Sequence, residues 1–356
     1  MFEKYYSVKK VLREEGIGTL FSILFKKALR YSTANKISNY FPLMGIYEHP
    51  DNEKIPIYAC YRDYIKPRHF LAHTNESGFN LFLRDNMIHY VAKGILPGAF
   101  SFCDFIVNRL KINIRNKKIL EVGCGDGALT YVLAAMGAGE VHGIDLLTNI
   151  RFFDQRINTV KRMLDNMPFN NKKLKIKELE KKVSIFESDI QSQLSNKNYD
   201  IIISKNVLEH INDFKQSIYV MRDVLKNKGI MIHQFNPFFS ETGGHEFCIL
   251  DFPWGHVRLS REEIVNYLET YRNWEKNKAI EVYDHNFNNP KITLNEIDDL
   301  ITDLGFKTLY SSEKRSFFWK PDSAQNRILA QCKRSYPKIT WQDLACDKVI
   351  RFVRKE

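Results

Sequence analysis

The chain has 356 residues, of which 44% are hydrophobic, and a formal net charge of +11. This length predicts a core domain with accessory segments, and 25 Phe with 17 Tyr exclude a disordered chain. The basic excess favours an anionic partner, whether nucleic acid, phosphorylated substrate or acidic lipid. Six cysteines without a CxxC pair exclude a zinc knuckle and a disulfide framework, and they fit a reducing compartment.

Residues 1–75 are predicted to form an N-terminal accessory segment. Apolar and basic residues alternate at helical spacing within residues 8–30, which predicts an amphipathic helix that rests on a membrane surface or packs on the main domain. Its apolar stretch is too short to span a bilayer, and a signal peptide is not expected. Residues 76–116 are predicted to be a lead-in or cap with two short helices, at 81–93 and 100–110.

Residues 117–356 alternate apolar runs with amphipathic stretches, a pattern typical of an α/β fold with helices on both faces of a mainly parallel sheet. Strands are expected at 118–123, 140–145, 182–190, 199–204, 229–235, 305–311 and 348–354. Helices are expected at 128–136, 149–167, 217–226, 261–274 and 294–304. The lysine-rich run 168–182 is predicted to be a solvated connection, and residues 237–293 to be an insertion on the acceptor side.

The first strand of this region ends in ILEVGCGDG, residues 119–127, and leads into a helix. Its glycines allow a tight turn and a close approach of backbone to ligand. A carboxylate just before them, Glu121, disfavours a phosphate and favours a cationic ligand. The next strand ends in Asp145, placed to accept hydrogen bonds from ribose hydroxyls, and a third ends near Asp189 and Ile190, placed to contact an adenine.

These motifs resemble those of class I S-adenosylmethionine-dependent methyltransferases, and YDIIISKNVLEHI and MRDVLKNKGIMIHQFNP resemble the strand-four and strand-five segments of that class. The resemblance implies a Rossmann-like, seven-stranded, doubly wound sheet and S-adenosylmethionine as cofactor. It implies cofactor contacts from Glu121, Gly123, Gly125, Gly127, Asp145, Leu146, Asp189, Ile190, Lys205 and Asn206. Lys228 replaces the first glycine of the usual K-x-G-G turn, and we expect Gly229 to absorb the change.

The acceptor side is expected in SETGGHEFCILDFPWGHVRLS, residues 240–260, which follows the fifth strand. A histidine held by a carboxylate is a suitable base for a hydroxyl, so His245 is the favoured base, His256 the alternative and Asp251 the orienting acid. No Asn/Asp-Pro-Pro-Tyr motif follows strand four, which lowers the expectation of base N-methylation. Glu209 and His210 are interpreted mainly as part of the loop and cofactor pocket.

The predicted function is O-methylation of a hydroxyl on a sugar, glycan or other small anionic acceptor, either free or linked to a lipid or a nucleotide. The segment from GGH to Tyr-Arg-x-Trp resembles methyltransferases associated with surface-polysaccharide synthesis. A cytoplasmic location is expected, with peripheral contact to the inner membrane face if residues 8–30 rest on lipid, and neither a metal nor nucleic acid is expected. One alternative is a metal-dependent RNA 2′-O-methyltransferase using Glu209, His210 and a later histidine, although Asn206 replaces its first acid. Another is a non-catalytic cofactor-binding protein.

Overall fold

The computed structural model describes residues 43–58, 91–169, 171–192, 194, 198–241, 243, 250–273, 276–286, 291–315 and 323–356. The strands in this part of the chain are β1 (Leu43–Glu48), β2 (Lys54–Tyr58), β3 (Lys118–Val122), β4 (Glu140–Asp145), β5 (Pro168–Phe169), β6 (Lys172–Lys173), β7 (Val183–Glu187), β8 (Tyr199–Lys205), β9 (Leu225–Phe235), β10 (Phe306–Arg315) and β11 (Cys346–Lys355). The predicted amphipathic helix of residues 8–30 lies outside the described residues.

Seven of these strands form one sheet in the order β10-β11-β9-β8-β3-β4-β7. The five strands from β7 to β9 run parallel, whereas β11 is antiparallel to both of its neighbours. The chain winds outward in both directions from the boundary between β3 and β8, so the carboxyl ends of these two strands mark the place where ligands of such sheets bind. The predicted seven-stranded, doubly wound sheet is confirmed.

Helices cover both faces of the sheet. They are α1 (Val91–Arg109), α2 (Ala128–Ala135), α3 (Leu147–Leu164), α4 (Ile176–Glu180), α5 (Phe214–Val224), α6 (Gly255–Arg258), α7 (Arg261–Tyr271), α8 (Lys276–Asn286), α9 (Leu294–Asp303), α10 (Ser323–Lys333) and α11 (Trp341–Ala345). One apolar core joins the sheet to α1 and α2, and a second joins it to α5 and α9. The central strands β3 and β8 are therefore buried on both faces, which explains their nearly continuous apolar sequences. The edge strands β7 and β10 are more exposed.

Helix α1 runs unbroken from Val91 to Arg109, which corrects the predicted break between the helices at 81–93 and 100–110. Residues 81–90 lie outside the described residues. Wide π-helical turns flank its α-helical centre, whose first turn contains Pro97. The missing N–H of a proline costs little there. The length and composition of α1 would also suit a membrane span, but its buried residues, among them Phe102 and Ile106, pack in the core beside α2. Core packing accounts for its apolar character.

The hairpin β1–β2, from the predicted accessory segment, packs on the region that follows β9. Ile55 and Ile57 are buried against Phe252 and Tyr267, and full burial of such a side chain stabilises by roughly 1.5–3 kcal/mol. Helices α6, α7 and α8 lie between β9 and α9, within the predicted insertion 237–293. Helices α10 and α11, between β10 and β11, were not expected from the sequence. The lysine-rich run 168–182 contains the short pair β5–β6 and α4.

The turn inside the long strand β9 differs from expectation. Lys228 itself has a left-handed backbone, with φ of 61°. The left-handed conformation of the usual glycine is therefore adopted by Lys228 and not by Gly229. Gly229 is required for space instead, because a Cβ there would lie 2.7 Å from Leu225 Cγ. A non-glycine residue in the left-handed region costs roughly 1–2 kcal/mol.

We therefore expect Lys228→Gly to raise the free energy of unfolding by about 1 kcal/mol, partly offset by the greater freedom of the unfolded chain. Urea denaturation measures the change, and Lys226→Gly, on the same strand, is a comparison expected to destabilise. A Lys228→Gly protein less stable than the wild type would contradict the argument.

Candidate active site

A cleft of about 670 Å³ opens at the carboxyl ends of β3, β4 and β8, beneath α1. It is lined by Gly94, Ile95, Gly98, Ala99, Glu121, Gly123, Cys124, Gly125, Asp126, Ala128, Leu129, Asp145, Lys205, Asn206, Val207 and His210. Its volume lies within the range of roughly 300–1,000 Å³ that is typical of small-molecule sites. Six of the residues that the sequence assigned to the cofactor therefore meet in one cavity.

The glycine loop after β3 is built for close approach. Gly123 has φ of 70°, and a Cβ placed on it would lie 2.3 Å from Val207 Cγ2. Backbone of the β3 loop thus touches the segment that follows β8, across the point where the chain reverses direction in the sheet. Gly127, the predicted third glycine, is the residue before α2 and does not line the described cleft.

Glu121 is the last residue but one of β3, and it is only 4% exposed. Thr130 of α2 donates a hydrogen bond from its hydroxyl to Glu121 Oε2. Burial, reinforced by the carboxylates of Asp126 and Asp145, raises the pKa of Glu121 to about 8. An acid this strongly shifted in a cleft indicates a functional site, and a cationic ligand group would favour its ionised form.

Asp145, at the end of the neighbouring strand β4, also lines the cleft. Its Oδ2 accepts a hydrogen bond from Gly125 N at 2.7 Å, and its Oδ1 accepts one from Leu146 N at 2.8 Å. These bonds fix the carboxylate at the cleft wall. Leu146 is 48% exposed, unusual for a large apolar side chain next to a cleft, and this exposure is compatible with an adenine packing on it.

Two of the predicted adenine contacts lie elsewhere. Asp189 follows β7, is exposed, and accepts a hydrogen bond from Gln191 N at 2.9 Å. Ile190 is buried and belongs to the core shared with α5. Neither lines the described cleft, so their contact with an adenine stays a prediction.

Lys205 ends β8 inside the cleft. Its ammonium donates to Gly98 O at 3.0 Å and lies 5.5 Å from the centre of the Phe102 ring. Burial, together with the nearby charge of Lys348, lowers the pKa of Lys205. The following residue, Asn206, has a left-handed backbone with φ of 56°, a strained state that asparagine tolerates better than most residues.

The contribution of α1 to this cleft was missed from the sequence. Small residues at 94, 98 and 99 occur at helical spacing, a pattern that could have indicated a helix allowing close approach of another group. Cys124 and Val207, which also line the cleft, are apolar members of loops and gave no comparable indication.

A protein family described as a methyltransferase domain matches residues 98–308 of this chain. That match spans more than half of the sequence and includes the whole cleft except its edge at Gly94 and Ile95. The chain belongs to this methyltransferase family. It is a class I S-adenosylmethionine-dependent methyltransferase, and S-adenosylmethionine is its cofactor.

Curated relatives of this methyltransferase include ubiquinone biosynthesis O-methyltransferases. That of Pelagibacter ubique is 28% identical over 40% of this chain and 50% of its own length, and that of Rickettsia canadensis is 32% identical over 34% and 43%. The chain thus spans about half or less of these relatives. A solved magnesium protoporphyrin IX methyltransferase from Synechocystis PCC 6803, with bound SAH, is 15% identical over 80% of this chain and 97% of its own, with a TM-score of 0.42.

The residues of the cleft fit this cofactor. Glu121 offers a carboxyl group for the ammonium of the methionine part, Asp145 offers acceptors for ribose hydroxyls, and Lys205 offers an ammonium for the carboxylate. The cleft is wide enough for a ligand of this size. The positive charges of the ligand explain why an acid, rather than a basic residue, stands before the glycines.

Beside Asn206, which lines the cleft, side-chain amides and an acid link the ends of β8 and β9. Asn206 Oδ1 accepts from Gln234 Nε2 at 3.2 Å, and Glu209 Oε1 accepts from Asn236 N at 3.2 Å and from Asn236 Nδ2 at 3.0 Å. This network fixes the short 3₁₀ helix Leu208–His210, which ends at the exposed His210. The imidazole of His210 is thereby carried at the wall of the cleft.

The predicted catalytic pairing of Asp251 with His256 is not formed. Asp251 is buried and bound through both oxygens by Arg272, with a further hydrogen bond of 2.8 Å from Tyr267 Oη. His256 is 3% exposed, and its Nε2 lies 2.9 Å from Phe238 O, which it meets as a donor. Both residues therefore stabilise the region after β9 and lie outside the described cleft. His245 lies outside the described residues.

The structure also gives no support to the alternative of a metal-dependent RNA 2′-O-methyltransferase. Asn206 at the critical position uses its oxygen to accept hydrogen bonds from neighbouring amides. Within the described ranges, no group of three or more His, Cys, Asp or Glu residues could hold a metal ion.

The buried histidine gives a pH prediction. Burial lowers the pKa of His256 from 6.5 to about 4, so its contribution to stability is complete above pH 6.5 and is lost as the pH falls through about 4. The full linkage is about 3 kcal/mol. His256→Gln preserves a donor for Phe238 O, and we expect it to flatten the acid-side loss of stability in urea titrations. His233, whose pKa is also lowered to about 4, still contributes its own loss of stability at acid pH in this variant. An unchanged acid profile would contradict this role.

Proposed function

We propose that this methyltransferase transfers a methyl group to a hydroxyl of a small anionic acceptor, a sugar or glycan in the first instance, with a histidine as base. The observation that carries the proposal is the presence of His210 in the wall of the cleft that also contains Glu121 and Asp145. The curated relatives are named O-methyltransferases, which supports oxygen as the methyl-accepting atom.

S-adenosylmethionine supplies an electrophilic methyl group, and its departing thioether is neutral. The protein must therefore orient the reactants and remove the hydroxyl proton. Glu121 and Asp145 would hold opposite ends of the cofactor, and α1 would cover the cleft against water. His210 would accept the hydroxyl proton, while Glu209 and Asn236 keep the 3₁₀ helix that bears it in place.

His210 replaces His256 in this proposal because His256 is buried and already bonded. His245, the base favoured by the sequence, is the rival for the same role. Since a hydroxyl needs one base, alanine variants of His210 and His245 distinguish them.

The cellular location is proposed from the composition of the chain alone. The chain has a formal net charge of +11, which suits an anionic acceptor or an acidic membrane face. We propose a cytoplasmic enzyme that contacts the inner membrane face through residues 8–30. Flotation with acidic liposomes tests this contact, and equal flotation after deletion of residues 1–30 would refute it.

The reaction is tested with methyl-labelled cofactor and extracts separated into polysaccharide, lipid-linked sugar, quinone-precursor and RNA fractions. We expect label in a sugar-containing fraction as an alkali-stable methyl ether. Label confined to phenolic quinone precursors would preserve O-methylation and overturn the sugar assignment. Label in RNA would overturn the acceptor class altogether.

A further inference from the structure

Three lysines lie on one face of the sheet at its active edge. Lys205 on β8 pairs with Gln234 on β9, and Gln234 pairs in turn with Ile350 on β11. Lys348 lies two residues before Ile350, so its side chain projects to the same face as that of Lys205. On β10, Lys314 is the direct partner of Lys348. We call Lys205, Lys348 and Lys314 the lysine row.

The directions of the strands bring the lysine row to the edge of the sheet at which the cleft opens. Lys205 ends a strand that runs parallel to β3, whereas Lys348 begins and Lys314 nearly ends the antiparallel strands β11 and β10. The row therefore extends from the cleft, which Lys205 lines, across the carboxyl end of β9. Asn236, which donates to Glu209, follows directly after that strand end.

The charges of the row are poorly balanced by the protein. Within the described residues, Lys348 is half-buried and makes no hydrogen bond or ion pair with its ammonium. Two carboxylates act on Lys348, that of Glu209 from the 3₁₀ helix and that of Asp347. Glu209 already accepts hydrogen bonds from Asn236, and Asp347 is the extra residue of a bulge beside the Lys314–Lys348 pair. Like charges directly opposite on paired strands are destabilising. An anion bound between Lys348 and Lys314 would offset this repulsion.

We infer that Lys348 and Lys314 form an anion subsite for a phosphate-bearing acceptor, whose hydroxyl is then presented to the cofactor cleft at Lys205. The inference rests on the proposed function, since it assigns a charge to the acceptor of that reaction. Lysine binds phosphate as a point charge, whereas planar carboxylates are matched best by the arginine fork. Two ammonium groups on adjacent strands therefore fit a multiply charged phosphate or diphosphate better than a single carboxylate.

The test is a calorimetric titration of inorganic pyrophosphate into the full-length protein saturated with S-adenosylhomocysteine, which occupies the cofactor site. We expect one site per chain, weakened about tenfold or more in Lys348→Gln and by about threefold in Lys314→Gln. Lys348→Arg should bind within about threefold of wild type. Lys307→Gln is the matched control, because it removes one exposed charge at the opposite end of β10 and should leave binding unchanged.

Equal affinities of wild type and Lys348→Gln would overturn the subsite, as would an equal loss in Lys307→Gln or no binding in the wild type. A thermal melt guards against misfolding. Because the substitution removes one of two opposed charges, Lys348→Gln should melt at the same or a higher temperature than wild type. A lower melting temperature would assign Lys348 a structural role instead.

Turnover separates this inference from the proposed reaction. With glucose 1-phosphate and glucose as paired probes, Lys348→Gln should raise the KM for the phosphate-bearing sugar alone and leave kcat unchanged. If neither sugar is methylated, the proposed acceptor fails, but the pyrophosphate titration still decides the subsite. Uridine diphosphate and vesicles containing phosphatidic acid, added as competitors, distinguish a soluble from a lipid-linked phosphate by which one displaces pyrophosphate.

Discussion

Replacement of His210 by alanine is expected to lower kcat for a hydroxyl acceptor by roughly 10²–10⁴-fold, the usual contribution of a general base. His210 lines the cleft from the 3₁₀ helix after β8, whereas Glu121 and Asp145 lie on β3 and β4. The affinity for S-adenosylmethionine should therefore stay within about threefold of wild type. Single-turnover methyl transfer measures the first effect and calorimetry the second.

The chemistry of the acceptor gives a readout that a structural role would not produce. A phenol, with a pKa near 10, loses its proton more readily than an alkyl alcohol and depends less on a base. The loss in His210→Ala should thus be smaller for a phenolic probe than for a sugar hydroxyl. Equal losses for both, with weakened cofactor binding, would mean that His210 supports the cleft only. His245→Ala is the matched comparison, and a larger loss there would transfer the role of base to His245.

The cofactor half of the site could be predicted because its determinants are local in sequence. Glycines and an acid within ILEVGCGDG set the backbone path, and the acid at the end of β4 follows from the strand pattern alone. The observed Glu121, Gly123 and Asp145 accordingly line one cleft. Asp189 and Ile190 did not join them, because an acid two residues beyond a strand can turn either toward the cleft or toward solvent.

The predicted pairing of Asp251 with His256 failed, since the partners of both residues are distant in sequence. The sequence predicted that Asp251 orients a histidine, but Tyr267 and Arg272, 16 and 21 residues away, bind its carboxylate. His256 meets a backbone carbonyl 18 residues earlier. No local pattern distinguishes a histidine at a site wall from one satisfied in a core.

Helix α1 shows that contacts distant in sequence also limit what can be predicted of the fold. Gly94, Pro97 and Gly98 are ordinary signs of a helix boundary, and they lie between the two short helices that the sequence predicted. Packing of Leu96, Phe102 and Ile106 against the core holds one continuous helix through those residues. The long-range apolar contacts outweigh the local propensities.

Cofactor binding should be coupled to the proton on Glu121. With its pKa raised to about 8 by burial, this carboxyl group is mostly neutral at pH 7 in the free protein. A bound ammonium and sulfonium favour the ionised form, so binding below pH 8 releases a proton. We expect the affinity for S-adenosylmethionine to rise with pH, by at most about tenfold per unit, and to level off above pH 8. Calorimetry in buffers of different ionisation enthalpy counts the released proton.

Glu121→Gln should remove both the pH dependence and the proton release, and weaken binding at pH 8 by about tenfold or more, the scale of one hydrogen bond to a charged group. Raising the pH has the opposite effect on the stability of the cofactor-free protein, which falls while the cofactor affinity rises. Because the folded pKa is raised above the usual 4.5, the contribution of Glu121 is complete below pH 4.5 and is lost as the pH rises through 8. The glutamine variant of the cofactor-free protein should therefore be relatively more stable at pH 8 than at pH 6. Wild-type affinity that falls on raising the pH from 6 to 8 would show that Glu121 does not face the cationic part of the cofactor.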